Sequence, residues 1–370
     1  MITPTKFTIH LIAAARPNFM KIAPLYHALS KEAWCNPVII HTGQHYDQNM
    51  SGSFFDDLNM PEPDINLHIG SGTHAEQTAS VMVAYEKFCL QNPPDFVIVV
   101  GDVNSTMAVA ITAKKLWLRV AHLEAGLRSR DRRMPEEINR LVTDSLSDLL
   151  WPPSQDGVKN LLNEGVDAEK ITLVGNIMMD SFELMRDKIE ANNILYELGV
   201  EAGYYGVLTL HRPSNVDDLD RLKILVNEFI KISEKIPLVF PVHPRTKRNL
   251  ESFNLMPKLV QADNVLMIDP ITYIPFMRLI SQSKLVITDS GGIQEETTYL
   301  NVPCLTLREN TERPITITQG TNRLVTSFDL MDHVNVVLAG DWPSGIKPEL
   351  WDGQTAGRVV ESLKRVLGLA

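Results

Sequence analysis

The stretch Leu285–Glu296, "LVITDSGGIQEE", decides how this chain is read. Four apolar or β-branched residues run straight into Asp289, as a buried strand would. Ser290, Gly291 and Gly292 then open a segment ending in Glu295 and Glu296, as the start of a helix would. The free N–H groups of such a start can cradle a phosphate. An ordinary Ser–Gly turn is the blander reading, and the strand, SGG, helix, EE order makes it the weaker one.

The same alternation extends outward in both directions. Strands are expected at 7–12, 37–42, 95–101, 119–123, 148–151 and 171–175. A second series is expected at 205–210, 237–242, 265–268, 285–288 and 303–307. Helices are expected between them at 17–31, 73–91, 105–117 and 135–147, then at 218–235, 272–282, 291–300 and 352–368. Repeated βα units imply parallel sheets covered by helices. The expected fold is therefore α/β, with two Rossmann-like doubly wound parallel-sheet domains facing a cleft. The first is placed at 1–175 and the second at 176–351, with 352–370 packing back on the first.

Composition narrows the class of function. The chain has 370 residues, too many for one typical core. Lys and Arg total 35 against 45 Asp and Glu, a net charge of −10, so a nucleic-acid partner is not expected. Cys35, Cys89 and Cys304 are far apart and show no CxxC spacing, which argues against a disulfide framework or a thiolate metal site. No apolar run approaches the ~18 residues of a membrane span. The opening "KFTIHLIAAARP" reads as a first buried strand rather than a signal peptide. The expected location is the cytoplasm, with no membrane partner.

Ligands of doubly wound sheets lie beyond the carboxyl ends of the strands. After the first strand, "AAARPNFMK" lacks the glycines of a dinucleotide loop and offers Arg16 and Lys21 as anion contacts. "GDVNST" offers Asp102, either as a helix cap or as a carboxylate in the cleft. "EAGLRSRDRRMPEEINR", Glu124–Arg140, has nine charges in 17 residues. It reads as a solvated loop or as carboxylates Glu124 and Glu136 turned toward a ligand. "HRPSN" sets His211 at a strand end, and "PVHPR" sets His243 and Arg245 similarly. "TERP" adds Arg313. Together these suit chemistry on a nucleotide-sugar.

These motifs, with "ARPNFMKIAPL", "HLEAGLRS" and "DSGGIQEE", resemble in order the non-hydrolysing UDP-N-acetylglucosamine 2-epimerases, over nearly the whole chain. The resemblance implies a GT-B arrangement, a homodimer, and interconversion of UDP-GlcNAc and UDP-ManNAc without metal or nicotinamide. It implies Asp102, Glu124, Glu136 and His211 as the catalytic set. It implies Arg16, Lys21, Phe276, Ser290, Gly291, Gly292, Glu296 and Arg313 as UDP-sugar contacts. Gln44, His45 and Gln48 match one side of the family's allosteric site. Pro213 stands where many bacterial members have a second Arg, which argues against allosteric activation here. The loop from Arg128 to Pro135 is shorter and more basic than in the best-known members. Arg130, Arg132 and Arg133 there would suit a 6-deoxy or uronic acid relative of the sugar, or lie in solvent. A GT-B glycosyltransferase, a hydrolysing epimerase and a nucleotide-sugar sensor are the competing readings.

Overall fold

The computed structural model describes residues 6–43 and 52–369, the side chains of 52–54 excepted. Gln44, His45 and Gln48 lie outside the described residues. The chain divides into two compact units, Met1–Met185 with Glu349–Ala370, and Arg186–Pro348.

The first unit carries strands β1 (Phe7–Ala13), β2 (Cys35–His41), β3 (Ile65–Asn66), β4 (Phe96–Val100), β5 (Val120–Leu123) and β6 (Leu149–Trp151). All pair parallel, in the order β3-β2-β1-β4-β5-β6. Every residue of β4 and β5 is buried, as a sheet covered on both faces requires. The second unit carries β7 (Gly206–Leu208), β8 (Leu238–Pro241), β9 (Val265–Ile268), β10 (Leu285–Thr288), β11 (Cys304–Thr306) and β12 (Asn322–Leu324). Its order is β12-β11-β10-β7-β8-β9. Counted from its own first strand, this is again 3-2-1-4-5-6, the dinucleotide-fold order, so the chain builds one topology twice. In each unit the strand order reverses between the first and fourth strands: β1 and β4, then β7 and β10.

Each switch point is clasped by one side chain. In the first unit Asn18 accepts from the amides of Ala14 and Ala15 and donates to the Val100 carbonyl at 3.1 Å. In the second, Asp289 after β10 accepts from the amides of His211 and Arg212 after β7, at 3.0 and 2.8 Å.

Three sequence expectations change. "ITLVG" at 171–175 forms no strand; Ile171 makes one isolated bridge to Leu150. The edge strands β3 and β12 are two and three residues long, too short to leave an apolar run. The chain belongs to the first unit up to Met185, and the early part of helix Ile177–Glu190 carries Ser181, which donates to the Met20 carbonyl. The last helix, Thr355–Leu367, lies against helix Arg16–Ser30 of the same unit. There the Trp151 indole donates to Ser362 at 3.0 Å and the Trp351 indole to the Pro153 carbonyl at 2.9 Å. Cys35, Cys89 and Cys304 are buried free thiols. No helix among the described residues is long and apolar enough to cross a membrane.

Candidate functional site

Two candidate sites sit at the two switch points, one in each unit. In the first, β4 ends at Val100 and Gly101 turns the chain with φ +68. A Cβ there would stand 3.1 Å from the Lys21 Nζ and 3.6 Å from a Glu124 oxygen, so glycine lets both side chains pass close to the backbone. Asp102 follows. It does not cap the next helix: Val103 is the N-cap residue and no side chain caps that end. Instead Asp102 Oδ2 accepts from Arg140 Nη1 at 2.5 Å, with its side chain still 31% exposed. Asn139 donates to the Asp102 carbonyl at 2.8 Å.

Glu124, directly after β5, is buried, adopts φ +72 and is ion-paired with Lys21. A non-glycine residue held there is strained, and here it aims a carboxylate across the switch point. Lys21, expected on the nucleotide, therefore has a carboxylate partner within its own unit. Arg16 is exposed at the first position of its helix.

Helix Pro135–Leu146 separates the two adjacent glutamates. Glu136 is exposed in its first turn. Glu137 is buried and accepts from the Ser129 amide and hydroxyl (2.9 and 3.0 Å), the Arg130 amide (2.8 Å) and Arg140 Nη2 (2.7 Å). Burial opposes its ionisation, but these donors outweigh it and hold its pKa below the usual carboxylate value. Deeper in the same helix, Asp144 bonds His122 Nδ1 at 2.6 Å and Arg128 Nη2 at 2.7 Å. The other nitrogen of His122 meets the Gly101 carbonyl at 2.8 Å. Both ring nitrogens are thus engaged, one by Asp144 and one by a backbone carbonyl. Sequence reading missed this layer of Glu137, Arg140, His122, Asp144 and Arg128. In the basic loop Arg133 pairs with Asp131, Arg130 donates to Asn160, and Arg132 is exposed.

In the second unit, His211 Nδ1 lies 2.9 Å from Asp289 Oδ1; Asp289 is fully buried and His211 39% exposed. Burial works against the Asp289 charge, yet His211 and the amides of Arg212 and His211 hold its pKa below normal. That fixes the proton on Nδ1 and leaves Nε2 for a ligand. The His243 ring lies 5.5 Å away, and its Nδ1 accepts from the Arg245 amide. Burial first, then the neighbouring His211 charge, lowers the His243 pKa.

Ser290 is the N-cap of helix Gly291–Leu300, and no side chain caps it. A Cβ on Gly291 would meet Glu312 at 2.7 Å and Arg313 at 2.9 Å, whereas Gly292 faces open space. Arg313 is braced by Glu295 (2.9 Å) and by Glu312, which also binds Arg308 at 2.8 Å. Glu296 is buried, and burial pushes its carboxyl up to about 8 against the opposing pull of the Tyr273 hydroxyl. Phe276 stands half-buried in helix Tyr273–Ser281, which also carries Tyr273.

Residues 27–364 match the family model described as UDP-N-acetylglucosamine 2-epimerase. A UDP-N-acetylglucosamine 2-epimerase of Methanocaldococcus jannaschii is 46% identical over 86% of this chain and 88% of its own length. A UDP-2,3-diacetamido-2,3-dideoxy-D-glucuronate 2-epimerase of Pseudomonas aeruginosa is 41% identical, over 85% and 87%. The crystal structure of M. jannaschii UDP-GlcNAc 2-epimerase in complex with UDP-GlcNAc and UDP superimposes with a TM-score of 0.88 at 42% identity, covering 97% of this chain and 99% of that one.

Proposed function

Because the chain belongs to the UDP-N-acetylglucosamine 2-epimerase family, we propose that it interconverts UDP-GlcNAc and UDP-ManNAc without hydrolysis, for cell-surface polysaccharide precursors. The hydrogen on sugar C2 is not acidic, since no carbonyl adjoins C2 within the ring. Direct deprotonation is therefore ruled out as a first step. As the C1–O bond to UDP breaks, positive charge at C1 loosens the C2 proton; a base takes it, and the pair left behind forms the C1=C2 bond of 2-acetamidoglucal. Protonation of C2 on the opposite face and return of a UDP oxygen to C1 complete the inversion. No atom is gained or lost.

Asp102 and Glu136 transfer the protons in this reading. Glu124, its charge shared with Lys21, stabilises the positive charge developing on the sugar. His211, oriented by Asp289, and Arg16 hold the departing diphosphate, and the uncapped start of helix Gly291–Leu300 receives it. Glu296 meets the ribose and Phe276 the uracil. The observation that carries the proposal is Asp102: a residue type that ordinarily caps helices leaves this one uncapped and keeps its carboxylate on Arg140, partly open to solvent.

A second reading has a sugar bearing an added acetamido or carboxylate group, with exposed Arg130 and Arg132 as its contacts. Incubation with UDP-GlcNAc in D2O, followed by NMR, tests both. Deuterium at C2 and a mixture of two UDP-sugars are expected. Unlabelled, unchanged UDP-GlcNAc beside exchange on a UDP-2-acetamido uronate would favour the second reading. Free ManNAc would indicate a hydrolysing enzyme.

A further inference from the structure

The buried arginine of helix Pro135–Leu146 is the least expected feature of the first unit's switch point. Arg140 is 2% exposed and has two carboxylates on its guanidinium. One is Asp102, at the switch point. The other is Glu137, which is fully engaged: besides Arg140 it takes three hydrogen bonds from Ser129 and Arg130 in the basic loop. The order is therefore loop backbone, Glu137, Arg140, Asp102. A planar guanidinium held from one side by a fixed carboxylate presents its remaining donors in a fixed direction.

We propose that Arg140 is a positioning residue for Asp102: braced by Glu137, its guanidinium fixes the orientation of that carboxylate and ties it to the loop Ser129–Arg130. This rests on the proton-transfer role assigned to Asp102 above. Removing the arginine frees the Asp102 side chain to rotate, and removing the Glu137 charge loosens the brace that aims the arginine.

The other charged groups around the turn Gly101–Asn104 are engaged elsewhere. Lys21 pairs with Glu124, and His122 is held between Asp144 and the Gly101 carbonyl. His74 contacts Asn104 at 3.2 Å. Glu136 is exposed on the first turn of the arginine's own helix, and Arg16 is exposed at the start of its helix. Arg140 is a cation bonded to the Asp102 carboxylate.

Three variants test the proposal: Arg140→Met, Arg140→Lys and Glu137→Gln. Two readouts are taken on each. The first is kcat and KM for C2 deuterium exchange. The second is the carboxyl-13C chemical shift of Asp102 at pH 7, assigned with Asp102→Asn. The chemical shift needs no turnover, so an inactive wild type would overturn the epimerase reading and still leave the positioning proposal on trial.

Arg140→Met should move the Asp102 carboxyl resonance and lower kcat ~10–100-fold, as for loss of other supporting contacts, with KM changed only a few-fold. Arg140→Lys should restore part of both, and Glu137→Gln should move the resonance in the same direction as Arg140→Met, by less. If Arg140→Met does not fold, Arg140→Lys and Glu137→Gln still decide. An unmoved Asp102 resonance, or a lowered Tm with kcat unchanged, would show a purely structural role and overturn the proposal.

Discussion

Glu296 carries its charge at a cost. Its carboxyl is buried and titrates near 8, against 4.5 for an ordinary glutamate. The folded state therefore binds this proton more tightly than the unfolded chain does. Its contribution to stability is complete below about pH 4.5 and is lost as pH rises toward 8. Glu296→Gln, a neutral mimic of the protonated form, escapes that loss. Urea unfolding from pH 5 to 9 should show the wild type falling relative to the variant, by at most ~1.4 kcal/mol per pH unit crossed. Parallel curves for the two proteins would mean that Glu296 ionises normally. At this scale the sequence marked Asp102, Glu124 and His211 because each follows a strand. It did not mark their partners. Lys21 lies 103 positions from Glu124 and Asp289 lies 78 from His211, and such pairings follow from chain topology rather than local pattern.

Helix Pro135–Leu146 shows how far a periodic pattern can be read. Its buried positions are Glu137, Asn139, Arg140, Thr143 and Asp144, whereas Ile138 is 42% exposed. Polar residues occupy the face where a core helix normally places Leu or Val. The spacing of Glu137, Arg140 and Asp144, three and then four apart, puts them on one side and was visible in the sequence. Which side faces inward was not. Glu136 and Glu137 are neighbours about 100° apart on the helix, so choosing one carboxylate for the chemistry required knowing that direction. Asp144 is the hub of this face, binding His122 and Arg128. Burial resists its charge, and His122 and Arg128 overcome that and depress its pKa. Its stabilisation is present above the ordinary Asp range and is lost as pH falls through its depressed folded value. Asp144→Asn takes the carboxylate from buried His122, while Arg128 keeps Glu164, so urea unfolding at pH 7 should show a loss of about 1–3 kcal/mol. The gap to wild type should narrow in acid; a gap constant from pH 7 to pH 3 would refute this electrostatic account.

On the scale of the whole molecule, one topology is built twice, and the chain's end completes the first copy. Trp351, Val359, Val360 and Leu363 are buried, and Lys364 pairs with Glu32. Each buried side chain of this kind contributes about 1.5–3 kcal/mol. A chain ending at Pro348 should therefore lose amide protection in β1 and β2 of the first unit while β7 and β10 of the second keep theirs. Hydrogen exchange measures this, and equal loss in both units would contradict the division at 185 and 349. The sequence by itself determined the alternation of buried strands and helices, the two series, and the residues at strand ends, because burial period and turn chemistry are local properties. Tertiary structure alone decided which strands are neighbours, that 171–175 forms no strand, and that the first unit runs on to Met185. It also turned Asp102 away from its helix cap and onto Arg140. Those outcomes depend on which distant segments bury one another, and the free energy of that choice is distributed over contacts that no short window of sequence contains.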